Sequence, residues 1–213
     1  MTIRAIGHTV GMKSARRVVL LEGAAVIGIL LAVMWVLQIA NAIDGQGLNG
    51  DGIYPRSLNG LPGIISAPFL HAGFGHLLGN TIPFIVLGLL VAVAGARRVI
   101  EVTVIVALVA GLGTWLTAAS HTSTIGASGI VFGYAGYLVA RGFFTRRMLE
   151  MGVGVVVAIL FGGALAWDLV PRSGVSWEDH LFGGLGGILA ARLLTVGLRG
   201  TAKALTAPVR RLS

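Results

Sequence analysis

Six apolar stretches, at residues 18–40, 74–96, 99–119, 126–141, 151–167 and 180–198, constrain this chain more than any other feature of its sequence. A backbone in lipid must satisfy its own hydrogen bonds, and about 20 apolar residues in a helix cross the hydrocarbon core. The stretches therefore predict membrane-spanning helices. Charged residues make up only 11% of the chain, against roughly 25% in a soluble domain. The 33 glycines suit helices that approach one another closely in a membrane. With no cysteine, disulfides and thiolate chemistry are excluded. A net charge of +8 could suggest nucleic acid. The charges, however, sit in short loops and tails, so lipid is the expected surrounding and no nucleic-acid partner is expected.

Charge placement also predicts orientation. Of the 16 Lys and Arg, only Arg56 and Arg172 fall in the loops after the first, third and fifth helices. The other 14 lie in the tails, in the loops after the second and fourth helices, or at the end of the sixth. By the positive-inside rule both termini face the cytoplasm. The expected fold is an all-α membrane protein of six transmembrane helices. Residues 1–17 form a basic cytoplasmic tail, 18–200 the membrane domain, and 201–213 a second basic tail. The loop at 41–70 is the longest. The second, fourth and sixth helices then all start at the outer face.

Those three helix starts carry unusual polar residues. Ser128 sits between glycines where the fourth helix opens. Unpaired N–H groups and the positive end of the helix dipole favour developing negative charge there. Alone, such a serine is more often a buried, satisfied hydroxyl. His76 and Asn80 are four apart, so they share one face of the second helix; either alone is more often a packed polar group. His71, five before His76, falls off that face and belongs to the preceding loop or the helix entry. His180 leads the sixth helix, and Gly183 and Gly187 lie on its own face. That smooth face lets another helix come close. Such packing would bring a base to Ser128, which a neutral imidazole can activate.

His71-x4-His76-x3-Asn80, then Gly126-Ala127-Ser128-Gly129, then His180 with Gly183 and Gly187, resemble the rhomboid family of intramembrane serine proteases, in its bacterial six-helix form. The resemblance covers the second, fourth and sixth helices in order. It implies that Ser128 is the nucleophile and His180 the general base. His76, Asn80 and the Ser128 backbone N–H would form the oxyanion hole. It further implies that Gly126 shapes the turn, that Phe132 packs against the catalytic histidine, and that His71 supports the site. Many relatives carry a Trp-Arg pair in the first outer loop. This loop has no Trp, and Arg56 lies upstream of the expected place. Asp44, Asp51, Asp168 and Asp179 read as solvated loop charges, and His8 and His121 fall outside the motif.

The implied activity is endoproteolysis of other membrane proteins, in or near their transmembrane segments, at the outer side of the plasma membrane. No metal or cofactor is implied. The alternative is a non-catalytic rhomboid-like binder of membrane proteins, which would need neither Ser128 nor His180. A transporter or channel would need polar residues in both halves of the membrane, and the inner half lacks comparable groups.

Overall fold

The computed structural model describes residues 3–205, with side chains described for 14–195. Arg4, His8 and the ends of both basic tails therefore lie outside the described side chains. Among the described residues are seven α-helices and no named strand: α1 (Ile3–Ile43), α2 (Gly63–Ser66), α3 (Phe74–Ala92), α4 (Ala96–Thr117), α5 (Ser128–Thr145), α6 (Met148–Asp168) and α7 (Trp177–Leu205). Helix α1 is longer at both ends than its apolar stretch, because nothing in the basic segment before it breaks a helix. Four helical segments are long and apolar enough to cross a membrane: Ser14–Ile43, Phe74–Ala92, Ala96–Thr117 and Met148–Asp168. The whole is a helical membrane bundle.

Glycines decide the centre. A Cβ at Gly183 would collide with the Gly129 carbonyl oxygen, and one at Gly187 with that of Gly133. A Cβ at Gly136 would stand 2.5 Å from the Gly184 carbonyl oxygen. Helices α5 and α7 thus meet backbone to backbone, as the glycine spacing predicts. Helix α4 packs on the same pair: Gly113 takes the Phe182 ring, and Gly133 takes Val106. Fully buried Phe84, Leu87, Val102, Val106 and Tyr134 fill the space between α3, α4 and α5. The Tyr134 hydroxyl is satisfied by Thr103 Oγ1 at 2.6 Å, as a polar group in an apolar interior must be.

At the opposite end of α5 from Ser128, Arg141 grips Glu150 through two nitrogens at 3.0 and 3.1 Å. It also donates to the Tyr137 hydroxyl at 3.1 Å. This clamp fixes the start of α6 to α5. Further along, α6 is exposed, with Ile159 and Leu160 both over 70% accessible. A groove of about 530 Å³ runs between α5, α6 and α7, lined by Phe132, Gly136, Phe143, Val157 and Gly184 among others.

The loop between α1 and α3 is ordered by short helical turns at Gly47–Asp51, Leu58–Gly60 and Ala67–Phe69 around α2. Arg56 fastens it. Its guanidinium donates to the carbonyls of Leu116 (3.1 Å) and Ala118 (2.8 Å) and to Ser120 Oγ (2.7 Å). Those carbonyls belong to the end of α4, which leaves acceptors unpaired. Trp115 of α4 returns a bond to the Ser57 carbonyl at 2.9 Å. Although the loop lacks a Trp, a Trp from the neighbouring helix meets it beside the arginine.

Candidate active site

Helix α5 begins at Ser128, two residues later than the apolar pattern suggests, with Ala127 as its N-cap. The delay follows from Gly126, whose φ of +126° is a conformation that side-chain-bearing residues rarely adopt. A Cβ there would also lie 2.7 Å from His76 Cε1 and 2.8 Å from His76 Nε2. The glycine thus supplies both the turn and the room for the histidine ring. Ser128, half-buried, opens the first turn of the helix.

His76 and Asn80 come to this turn on one face of α3, as their spacing predicts. His76 is exposed and Asn80 is buried. The Ala72 N–H donates to His76 Nδ1 across a long 3.5 Å. An imidazole nitrogen that accepts carries no proton, so in the neutral ring the proton is on Nε2. That nitrogen faces Gly126. Asn80 Nδ2 would lie 3.7 Å from a Gly126 Cβ, and it is buried without a hydrogen-bond partner. Two N–H donors therefore converge beside the residue two before Ser128.

His71 lies in the loop before α3 and is fully buried. Its ring meets His76 edge-on, with centroids 5.1 Å apart. Burial, and then the neighbouring His76, push the imidazole down to about 4. A ring kept neutral in this way can accept, and its Nε2 takes the Ala127 N–H at 3.4 Å. His71 thus holds the approach to α5, a contact that its sequence position alone does not show.

His180 comes from the first turn of α7 and is 5% exposed. Its Nδ1 lies 2.8 Å from the backbone oxygen of Asp168. A carbonyl only accepts, so Nδ1 carries the proton and Nε2 keeps a lone pair. Phe132, one turn beyond Ser128, stacks on the imidazole. The Gly129–Gly183 approach brings the start of α5, which carries Ser128, against the start of α7, which carries His180.

Two aspartates behave differently from the sequence reading. Asp168 contributes its main-chain carbonyl, while its carboxylate pairs with Arg172. Asp179 is not a solvated loop charge: it is 6% exposed, and its carboxylate lies against the Gly129 backbone. Trp177, Glu178 and Asp179 belong to α7 rather than to the preceding loop, so the helix carries Asp179 inward. Among the described residues no cluster of His, Asp and Glu could hold a metal ion.

The family model for the Rhomboid domain matches residues 59–196, most of the chain. The chain belongs to the rhomboid family. This rhomboid is 38% identical over 181 residues to an uncharacterized protein of Mycobacterium tuberculosis, covering 81% of this chain and 75% of that one. An uncharacterized protein of Mycobacterium leprae is 35% identical over 204 residues, covering 92% and 81%. A more distant Bacillus subtilis protein, provisionally named a rhomboid protease, is 28% identical over 131 residues, covering 61% and 65%. The rhomboid family is generally one of serine intramembrane proteases, and this rhomboid is accordingly a membrane-embedded protein of a protease family.

Proposed function

We propose that this rhomboid is an intramembrane serine endopeptidase that cleaves other membrane proteins in or near a transmembrane segment, with a Ser128–His180 dyad. The observation that carries the reading is the buried, unpaired Asn80 Nδ2 beside Gly126. An unmet buried donor costs about 1–3 kcal/mol, a cost that a charge arising there during reaction would repay.

The chemistry follows from the protonation states. Ser128 Oγ attacks the substrate carbonyl carbon as His180 Nε2, with its lone pair free, takes the hydroxyl proton. The carbonyl π electrons move onto oxygen, where His76 Nε2–H, Asn80 Nδ2–H and the Ser128 backbone N–H stabilise them. Collapse breaks the C–N bond, and His180 returns the proton to the leaving amine. A water, deprotonated by the same imidazole, then releases the acyl group. The Asp168 carbonyl fixes the working tautomer, the task that a carboxylate performs in a triad.

In this reading six helices cross the plasma membrane, both termini are cytoplasmic, and the site opens to the extracytoplasmic side. The charge distribution supports that orientation. The deciding experiment incubates detergent-purified protein with a generic transmembrane substrate, beside Ser128→Ala and His180→Ala. Cleavage by the parent alone, with fluorophosphonate labelling that Ser128→Ala abolishes, is the expected result. A parent that binds the substrate and never cuts it would favour a non-catalytic binder.

A further inference from the structure

Helix α5 begins without a cap of its own. Its N-cap residue, Ala127, has no side-chain oxygen and makes no capping bond. The first four N–H groups of a helix have no intrahelical partner, and this start is buried, so water cannot readily serve them. His71 takes the Ala127 N–H. Ser128 N–H faces the oxyanion position in the reading above. The next group, the Gly129 N–H, faces a carboxylate from another helix: the Asp179 side chain of α7 lies against the Gly129 backbone.

The fit is close. A Cβ at position 129 would stand 2.5 Å from Asp179 Oδ2 and 2.6 Å from Oδ1, so only glycine leaves room for this approach. The cavity that Asp179 lines with Thr124, Gly126, Gly129 and Ile130 is about 10 Å³, too small for any ligand but a water. The carboxylate is therefore committed to the start of α5. Burial pushes the Asp179 carboxyl up to about 7, while the Gly129 N–H beside it favours the charged form, as does the positive end of the helix dipole. In sequence Asp179 directly precedes His180. One residue thus holds the backbone next to Ser128 with its side chain and shares a peptide bond with His180.

We propose that Asp179 is a positioning residue, an N-cap supplied to α5 by α7, which sets the separation of Ser128 and His180. The proposal rests on those two residues being the reacting pair. Asp179 touches neither substrate nor proton in transit. Its contribution is to keep the two helix starts in register.

The test uses the full chain in detergent micelles, as Asp179→Ala and Asp179→Asn beside the parent. Three quantities are read: amide hydrogen exchange at the start of α5, kcat and KM on a transmembrane substrate, and the rate of fluorophosphonate labelling. Asp179→Ala should raise exchange at Gly129 and lower both kcat and the labelling rate, each on the order of 30-fold, with KM within about twofold. Asp179→Asn keeps an amide oxygen that can accept the same N–H, so all three should return to within about threefold of the parent. Unchanged exchange at Gly129 in Asp179→Ala would overturn the proposal. So would an Asn variant as impaired as the Ala variant, or a loss carried by KM instead of kcat. If Asp179→Ala does not accumulate in the membrane, Asp179→Asn decides: near-parental exchange supports the cap, and rapid exchange refutes it. A parent that neither cleaves nor labels would sink the protease reading, and the exchange measurement would still judge the cap.

Discussion

The Phe132 ring lies flat on the His180 imidazole, with centroids 4.3 Å apart and planes 6° from parallel. Phe132 is four residues beyond Ser128, so the helix that presents the serine also presents the surface on which the histidine rests. The Asp168 carbonyl fixes the ring's hydrogen-bonding edge, and Phe132 fixes its plane. Removing the stack should cost about 0.5–1.5 kcal/mol of interaction beyond the lost area. Phe132→Ala is expected to lower kcat roughly tenfold, and Phe132→Tyr to stay near the parent. Steady-state cleavage of a transmembrane substrate reads the difference.

Glycine substitutions should separate sharply by face. Gly183→Ala and Gly187→Ala each drive a methyl into a backbone oxygen of α5, and backbone cannot swing aside. Each should cost on the order of 1–3 kcal/mol and reduce activity by parting α5 from α7. Gly184→Ala meets nothing within 4 Å and should be close to neutral. Thermal unfolding in detergent, run on the three variants together, checks the contrast; equal losses would show that the backbone contact is not what matters.

Oxyanion donors should act on turnover and not on binding. A charge present only in the transition state is stabilised only there, and losing one donor costs on the order of 100-fold or more in a known soluble case. Asn80→Ala and His76→Ala should therefore lower kcat strongly at nearly constant KM. Gly126→Ala should mimic the His76 loss, since its methyl would occupy the place of the ring edge. Parental turnover in both Asn80→Ala and His76→Ala would remove these residues from the mechanism.

Arg56 should prove structural. Three charged hydrogen bonds join it to the end of α4 and to Ser120. Arg56→Ala should destabilise by about 2–3 kcal/mol, while activity well below the unfolding temperature stays within about threefold. Arg56→Lys should recover only part of the stability, because a single ammonium lacks the planar fork that reaches all three acceptors. Unfolding curves and cleavage assays at low temperature distinguish this from a role in the reaction.

The sequence showed the helices and the meeting of α5 with α7 clearly, for a physical reason. Apolar length and glycine spacing are local patterns, and in a membrane they dictate packing almost directly. It also showed which residue types gather at the helix starts, although their catalytic roles are settled only by the experiments above. Three contacts stand out among those that were not legible. Asp179 looked solvated because charge in a loop usually is, and only the earlier start of α7, at Trp177, turns it inward. Arg56 looked misplaced because it lies upstream of the expected place in a loop without a Trp, and the Trp that meets this loop, Trp115, comes from α4. His71 looked peripheral because its partner, the Ala127 N–H, lies 56 residues away.

A fourth contact that the sequence does not show, the bond from His180 Nδ1 to the Asp168 carbonyl, has a consequence for genetics. Every amino acid at position 168 brings the same carbonyl, so alanine scanning passes over the group that orients the imidazole. Asp168→Ala would report only on the pairing with Arg172. A comparison of related sequences would be equally blind, because an acceptor owned by the main chain leaves no constraint on residue identity. An amide-to-ester exchange between residues 168 and 169, which weakens that carbonyl as an acceptor while keeping every side chain, would expose it.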